Sequence, residues 1–240
     1  ELAKGLMGHQ PSRMLQVLRD CGALHSLLPG VARLYGVPQP VEHHPEVDTG
    51  IHVEMVLDEC ARMNAGLEVR FAALCHDLGK GTTAIDKLPR HIGHEERSVK
   101  LLRSLCERWR VPVHCKELAE VVAREHGNIH RSASLGAAAT LRLLERCDAF
   151  RKPARFAHIV QSCACDTPGR LDREHDAYSQ GERLLQALQA ALAIDSSAIA
   201  QAAMQAGAQG PAVGQALAKA RELAIAQCLA HDLRQRAGGG

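Results

Sequence analysis

Aromatic side chains are scarce in this sequence. Phe, Trp and Tyr together make up 2% of the 240 residues. Proteins that bind single-stranded nucleic acid without sequence preference commonly stack the bases on aromatic rings. The scarcity of such rings argues against a binding platform of that type.

An excess of charge of one sign is also missing. Charged residues are 23% of the chain, and the formal net charge is only +2 at pH 7. No strong electrostatic field therefore points to nucleic acid as a partner. No apolar run is long enough to cross a bilayer and no signal peptide is recognisable, so we expect no contact with a membrane.

Paired cysteine motifs are absent. The sequence has no Cys-x-x-Cys pair, only Cys163-x-Cys165, and its nine cysteines are scattered. This pattern disfavours a zinc knuckle, a redox motif or a disulfide framework. Four cysteines fall on apolar faces of predicted helices, where a free thiol behaves as a small hydrophobe: Cys60, Cys75, Cys106 and Cys163. We therefore expect a reduced, cytoplasmic protein.

The residues that dominate the chain favour helices. Ala, Leu, Arg, Glu and Gln are common and β-branched runs are few, which predicts an all-α protein. Residues 1–36 are expected to form short helices, and the chain from residue 179 onward is Ala- and Gln-rich helix. That last part has no concentrated chemistry, so we expect it to pack or to contact a partner.

The stretch FAALCHDLGKG, residues 71–81, is the strongest candidate for a functional site. Its apolar residues lead at helical spacing into His76, Asp77 follows, and Gly79 is expected to end the helix within two residues. An imidazole and a carboxylate held at a half-buried helix end suit a metal ion that takes nitrogen and oxygen ligands. Because neighbours on a helix point about 100° apart, an ion bound by both needs further ligands from elsewhere.

Two other helices offer those ligands. A helix beginning near Thr49 places His52 at the edge of its buried face, although a lone histidine there is also explained as a core residue bonded to a carbonyl. Asp166 follows the apolar face of a helix that Pro153 opens. A carboxylate on such a face is costly unless it binds a cation or a donor. We predict that His52, His76, Asp77 and Asp166 share one ion.

Two more histidines precede a long predicted helix. His91 and His94 lie where backbone N–H groups favour anions, so that they suit either a phosphate or a second metal. The alternative is that they are ordinary polar loop residues. Lys80 has two interpretations as well, a phosphate-binding cation or a cation that complements a helix C-terminus.

The pattern His … His-Asp … Asp, with Gly-Lys close behind the pair, resembles the HD superfamily of metal-dependent phosphohydrolases. Longer strings resemble the HD-containing C-terminal part of bacterial tRNA nucleotidyltransferases, the CCA-adding enzymes. These strings are VLRDCGALHSLLPG, GVPQPVEHHPEVDTGIH, VRFAALCHDLGKG, LPRHIGHE and DAFRKPARF. The similarity is dense from about residue 10 to residue 172.

The resemblance implies an HD-domain helical bundle with additional C-terminal helices. It divides the chain into a neck-like segment, residues 1–36, an HD domain, residues 37–172, and a C-terminal helical extension, residues 173–240. It also implies the four metal ligands named above and a divalent ion, nickel or magnesium, with manganese as a further option.

The implied activity is hydrolysis of 2′,3′-cyclic nucleotides, 2′-nucleotides and simple phosphate esters. In this chemistry Asp77 would orient a water molecule, and His91, His94 and Lys80 would neutralise charge on the phosphoryl oxygens. The glycine-rich turn and the Asp-x-Asp pair of the nucleotidyltransferase head are not found in these 240 residues. The chain therefore looks like a piece of a longer enzyme that acts on tRNA, and alone it should not add CCA.

Two alternatives stay open at this stage. One is a tRNA-binding or homodimer-forming module with a structural metal, in which the cation-rich stretches Arg103–Arg110 and Arg142–Arg155 meet the RNA backbone. The other is a stand-alone HD nucleotidase, although the abrupt start of the chain speaks against it.

Overall fold

The computed structural model describes residues 1–40, 47–167 and 178–238, and side chains up to residue 231. Within these ranges the chain is all-α, as expected, and the sole β pairing is an isolated bridge between Pro38 and Asp48. Short 3₁₀ turns cover Leu78–Thr82, Ile85–Lys87 and Ser132–Ser134. The helices are α1 (Leu2–Leu6), α2 (Pro11–Asp20), α3 (Ala23–Leu27), α4 (Pro29–Ala32), α5 (Thr49–Arg62), α6 (Leu67–Cys75), α7 (His94–Trp109), α8 (Val113–His130), α9 (Ala137–Arg146), α10 (Pro153–Asp166), α11 (Ser179–Leu192), α12 (Ser196–Gln205) and α13 (Pro211–Gly238).

The described helices group into two compact units. One unit comprises Glu1–Gly127 with His158–Tyr178, and the other comprises Asn128–Ala157 with Ser179–Gly240. Every residue that the sequence singled out for metal binding or catalysis lies in the first unit. The boundaries expected at residues 36 and 172 stay predictions, and residue 172 lies outside the described residues.

The N-terminus of helix α5 is stabilised by a capping side chain. The carboxylate of Asp48 accepts hydrogen bonds from the backbone N–H groups of Gly50 and Ile51, which satisfies donors that have no partner inside the helix. The predicted apolar face is buried as expected, and it includes Val53, Val56, Leu57 and Cys60. This cap and this face fix the rotation of the helix, and His52 is thereby directed into the core.

Within the first unit, a buried arginine joins the N-terminal segment to α6. Arg70 on α6 is 5% exposed, and its guanidinium donates to the carbonyls of Ala65, Leu6 and Gly8 at 2.9, 2.8 and 2.8 Å. A buried charge needs such complete pairing, because an unpaired guanidinium would cost several kcal/mol. The contact therefore anchors α1 against α6.

Substituting Arg70 with methionine is expected to lower the free energy of unfolding by about 3 kcal/mol, because three carbonyls lose a charged donor. Urea unfolding monitored by circular dichroism measures the change. Arg13→Met is the matched control. Arg13 donates to Gln16 on the exposed surface, so its substitution should leave stability unchanged. Equal midpoints for both variants would contradict the anchoring role.

Much of the basic charge is engaged within each unit. In the first unit, Arg103 pairs with Glu120 at 2.9 Å and Arg108 donates to the Ser26 carbonyl at 2.6 Å. In the second unit, Arg151 and Arg155 both reach Asp148 at 3.0 Å, and Arg183 donates to the carbonyls of Ser132 and Leu135. These pairs reduce the charge that the two cation-rich stretches offer to an RNA backbone.

The nine cysteines are all free thiols. Burial is complete or nearly so for the four that were expected on apolar faces, Cys60, Cys75, Cys106 and Cys163. Burial also raises the pKa of the Cys106 thiol to about 11, which keeps it unreactive at neutral pH. Across the described residues, no helix combines the length and the apolar character needed to cross a membrane.

Candidate metal centre

The predicted centre lies where α6 gives way to a tight turn. Helix α6 ends at Cys75, one turn earlier than expected, and His76 follows as its last αR residue before the 3₁₀ turn Leu78–Thr82. Gly79 does more than interrupt the helix. A Cβ at this position would overlap the His94 carbonyl and lie 2.7 Å from the Ser98 nitrogen, so that only glycine lets the first turn of α7 come this close.

The first group of candidate ligands comes from three helices. It consists of His52 on α5, His76 at the end of α6, and Asp166 at the end of α10, and all three are buried. One ligand atom from each lies within 4.8 Å of the others, and His52 Nε2 is 2.9 Å from Asp166 Oδ1. The structure therefore brings together three of the four residues that the sequence predicted.

The second group is centred on the fourth predicted residue, Asp77. Its Oδ1 lies 3.2 Å from His94 Nε2 and 3.6 Å from His126 Nε2, and the two Nε2 atoms are 3.4 Å apart. His94 was expected near the site, whereas His126 was not assigned a role. The two groups meet where His76 Nε2 lies 3.2 Å from Asp77 Oδ2. A single ion shared by His52, His76, Asp77 and Asp166 stays a prediction.

Backbone carbonyls orient three of the histidine rings. Nδ1 lies 2.7 Å from the Ala73 carbonyl in His76, 2.9 Å from the His91 carbonyl in His94, and 3.1 Å from the Val122 carbonyl in His126. When the ring is neutral, a hydrogen on Nδ1 that donates to a carbonyl leaves Nε2 as an acceptor. This is the arrangement by which metal-binding histidines are usually held, and each Nε2 faces the centre.

Two atoms of the centre are buried without a hydrogen bond. Nε2 of His76 and Oδ1 of Asp77 have no hydrogen-bond partner of acceptable geometry among the described residues, although charged groups lie near them. Burying such atoms costs free energy unless a ligand compensates. Nitrogen and oxygen donors in this number suit a divalent cation, so the residues present fit a metal ion. Their geometry leaves the identity of that ion open.

The electrostatics of the centre favour an ionised carboxylate. Burial alone would raise the pKa of Asp77, but the positive charges of His76 and Lys80 outweigh it and hold the pKa well below its usual range. Burial alone would lower the pKa of His76 and of His94. The interaction of both rings with the Asp77 carboxylate outweighs burial, so the pKa of each histidine is raised. Asp77 is therefore the negative centre around which the surrounding donors are arranged.

Lys80 and His91, which were predicted to contact substrate, have other partners in this structure. Lys80 is buried, and its Nζ lies 2.7 Å from Asp77 Oδ2 and 2.6 Å from Gln39 Oε1. These two contacts hold the Lys80 ammonium group beside the carboxylate of Asp77. The ring nitrogens of His91 lie 2.8 Å from Thr83 Oγ1 and 2.9 Å from the Pro38 carbonyl. Contact of either residue with a phosphoryl group stays a prediction.

Comparison with known proteins agrees with this geometry. Residues 49–162, which include both ligand groups except Asp166, match the HD domain family. This match and the all-α fold of the described residues both agree with the resemblance to HD domains that the sequence indicated.

The relatives that match this chain are longer proteins. The chain is 62% identical over 230 residues to the Multifunctional CCA protein of Paracidovorax citrulli, covering 96% of this chain and 55% of that protein. It is 63% identical over 202 residues to the protein of the same name from Cupriavidus necator, covering 84% of this chain and 49% of that protein. The chain thus spans about half the length of the curated relatives it matches. The resemblance to the C-terminal, HD-containing half of such proteins is confirmed.

Proposed function

We propose that this chain is a divalent-metal-dependent phosphohydrolase whose substrates are 2′,3′-cyclic nucleotides, 2′-nucleotides and simple phosphate esters. The observation that supports this most strongly is the convergence of two three-residue groups, one buried and one largely buried, which meet at His76 and Asp77 in the part of the chain that resembles an HD domain. Nickel or magnesium is the proposed ion, with manganese as a further option, because the donors mix imidazole nitrogen and carboxylate oxygen.

Each group has a defined part in this proposal. His52, His76 and Asp166, together with Asp77, would hold the ion, and Asp77 with His94 and His126 would offer a second position. When bound, a divalent cation polarises a phosphoryl oxygen and lowers the pKa of a water molecule towards neutrality.

The chain's own residues supply the remaining steps. Asp77 is ionised and can orient the attacking water through its carboxylate, while Lys80 stabilises that carboxylate through an ion pair with Oδ2. Lys80 approaches Oδ2 of Asp77. The Nε2 atoms of His94 and His126 approach Oδ1, the other oxygen of the same carboxylate. When no ion occupies the second position, they are the imidazoles best placed to neutralise charge that develops on the phosphoryl oxygens.

The biological setting belongs to the same proposal. The relatives are named Multifunctional CCA proteins, so we propose that the chain works in the cytoplasm as the HD part of a CCA-adding enzyme whose partner is tRNA, with a homodimer as an option. A tRNA-binding or dimerisation module with a structural metal is the alternative, and so is a stand-alone nucleotidase. Salt-dependent tRNA binding that survives loss of the ligands, without hydrolysis, would favour the binding module.

The proposed activity is tested by hydrolysis of a 2′,3′-cyclic nucleotide with added Ni²⁺ or Mg²⁺. His76→Ala and Asp77→Ala are each expected to lower kcat/KM by at least about 100-fold, because a metal ligand is lost. His114→Ala, which alters an exposed histidine at the start of α8, is the matched control and should retain the wild-type rate. Equal background rates in the wild type and both ligand variants would refute the proposal.

The metal-to-protein ratio of single variants tests whether the two ligand groups bind separate ions. We expect the wild type to hold up to two divalent ions and His126→Ala to lose one of them, whereas His52→Ala loses the other. Elemental analysis of protein purified without chelator and then saturated with Ni²⁺ measures the ratio. An unchanged ratio in His126→Ala would show that Asp77, His94 and His126 do not form a metal position.

A further inference from the structure

Arg97 on α7 joins the two segments that carry Asp77 and His94. Its Nε donates to the Gly79 carbonyl at 3.2 Å, in the turn that follows Asp77. Its Nη1 donates to the Ile92 carbonyl at 2.8 Å, two residues before His94. One planar guanidinium therefore ties the two segments together, and a lysine ammonium group, which is a point charge, cannot reproduce this fork of donors.

The same guanidinium helps to fix the ring of His91. Nη2 of Arg97 donates to the Thr83 hydroxyl at 3.0 Å, and that hydroxyl lies 2.8 Å from Nδ1 of His91. Nε2 of His91 lies 2.9 Å from the Pro38 carbonyl. Because a carbonyl can only accept, the hydrogen of the neutral ring is on Nε2, and Nδ1 accepts from Thr83. Both ring nitrogens of His91 thus have a partner of the matching kind.

His91 in turn holds a ligand of the second group. Its backbone carbonyl lies 2.9 Å from Nδ1 of His94 and also accepts from the His94 backbone N–H at 3.0 Å. Nε2 of His94 lies 3.2 Å from Asp77 Oδ1. The contacts therefore run from Arg97 through Thr83 and His91 to the imidazole that faces Asp77.

The first ligand group lies outside this set of contacts. His52, His76 and Asp166 belong to α5, to the end of α6 and to α10. The four hydrogen bonds that Arg97 donates end on acceptors of residues 79, 82, 83 and 92, which lie between α6 and α7. Loss of these bonds should therefore disturb one ligand group and spare the other.

We propose that Arg97 is a positioning residue of the second metal position, where it keeps His94 at binding distance from Asp77. This inference rests on the proposed metal-dependent function and adds a residue that acts on the ligands and not on the ion. Groups that hold metal ligands in place commonly change the metal affinity by about 10- to 100-fold. Arg97 is only half-buried, so water can replace part of its bonding and the fold should tolerate its substitution.

Arg97→Lys tests this assignment, because it keeps the positive charge and removes the planar fork of donors. Calorimetric titration of metal-free protein with Ni²⁺ should show two binding events in the wild type, and the event that His126→Ala abolishes belongs to the second position. In Arg97→Lys we expect the Kd of that event to rise at least about tenfold, while the Kd of the other event stays within about twofold.

A second variant alters only one hydroxyl. Thr83→Val keeps the shape of the side chain, but it can neither accept from Arg97 nor donate to His91. It should raise the Kd of the same event about fivefold, and it replaces Arg97→Lys in the comparison if that variant does not fold. Arg124→Lys is the matched control, since Arg124 is also half-buried and its Nε lies 3.8 Å from Glu96 Oε1 on the neighbouring α7. The control should change neither Kd.

Three calorimetric results would overturn the assignment. An unchanged second event would mean that Arg97 does not position His94, and equal weakening of both events would mean that it supports the fold as a whole. A wild type that binds only one ion would remove the second position, but not the proposed phosphohydrolase, which needs one ion. Absence of hydrolysis by the metal-saturated wild type would refute the proposed activity and would leave the calorimetric comparison unaffected.

Discussion

Gly79→Ala is expected to remove hydrolysis and to destabilise the fold, although it adds only one methyl group. The new Cβ would overlap the His94 carbonyl and would lie 2.9 Å from the Arg97 Cβ, so that α7 must move away from the turn after Asp77. That movement breaks the bond from the Gly79 N–H to the Ser98 hydroxyl, now 2.8 Å. It also carries His94 away from Asp77. A large effect follows because backbone, and not a flexible side chain, blocks the added group.

The expected loss in unfolding free energy is about 3 kcal/mol, at the upper end for overpacking a well-packed site. Urea unfolding with a chelator present measures it apart from metal binding, and nucleotide hydrolysis measures the loss of the centre. Gly214→Ala in α13 is the control, since a Cβ there meets nothing within 4 Å and alanine favours a helix. If Gly79→Ala matches Gly214→Ala in stability and activity, the close approach of α7 has no functional importance.

Local apolar periodicity made part of the centre predictable. His52 and Asp166 each lie on the helical face that their neighbours Val53, Val56, Ile159 and Cys163 define, and that face is buried. A polar residue on such a face has to find a partner inside the protein. The direction of these two side chains was therefore contained in the spacing of nearby residues, which is why both were identified.

His126 was missed because its signal depends on helix length and on tertiary contacts. The glycine at residue 127 predicts a helix that ends at Glu125-His126-Gly127, whereas α8 continues to His130. Within a continuous helix, His126 lies one turn beyond the buried Val122, to whose carbonyl its Nδ1 is bonded. Spacing from Leu118 and Val122 could have indicated a buried histidine. Its position opposite Asp77 could not be read from α8 alone.

The roles of Lys80 and His91 depended on segments far away in the chain. Lys80 bonds to Gln39 and His91 to the Pro38 carbonyl, so both are held by a segment some forty or more residues earlier. No local pattern connects these positions. The sequence could indicate that a cation and an imidazole lie near the centre, but not that each already has a partner there.

Asp77→Asn is expected to have the largest combined effect on stability and metal binding. The asparagine side chain would keep the shape but not the charge, so that buried Lys80 and the surrounding imidazoles lose the carboxylate that they approach at 2.7 to 3.6 Å. Removing one partner of a buried ion pair commonly costs about 3 to 5 kcal/mol. Urea unfolding in the presence of a chelator should show a loss of that size, and the protein should no longer retain divalent ions.

A second substitution separates the structural and the metal-binding roles of Asp77. Adding Lys80→Met removes the stranded cation, and the double variant should recover most of the lost stability, because no unpaired charge is then left buried. It should still fail to retain metal, since the neutral amide oxygen of asparagine is a much weaker ligand than the carboxylate that it replaces. Lys4→Met, which breaks an exposed pair with Glu1, is the surface control and should change neither property. If the double variant is as unstable as Asp77→Asn alone, the interaction between Asp77 and Lys80 is not what stabilises the turn. If it retains metal, Asp77 is not a ligand.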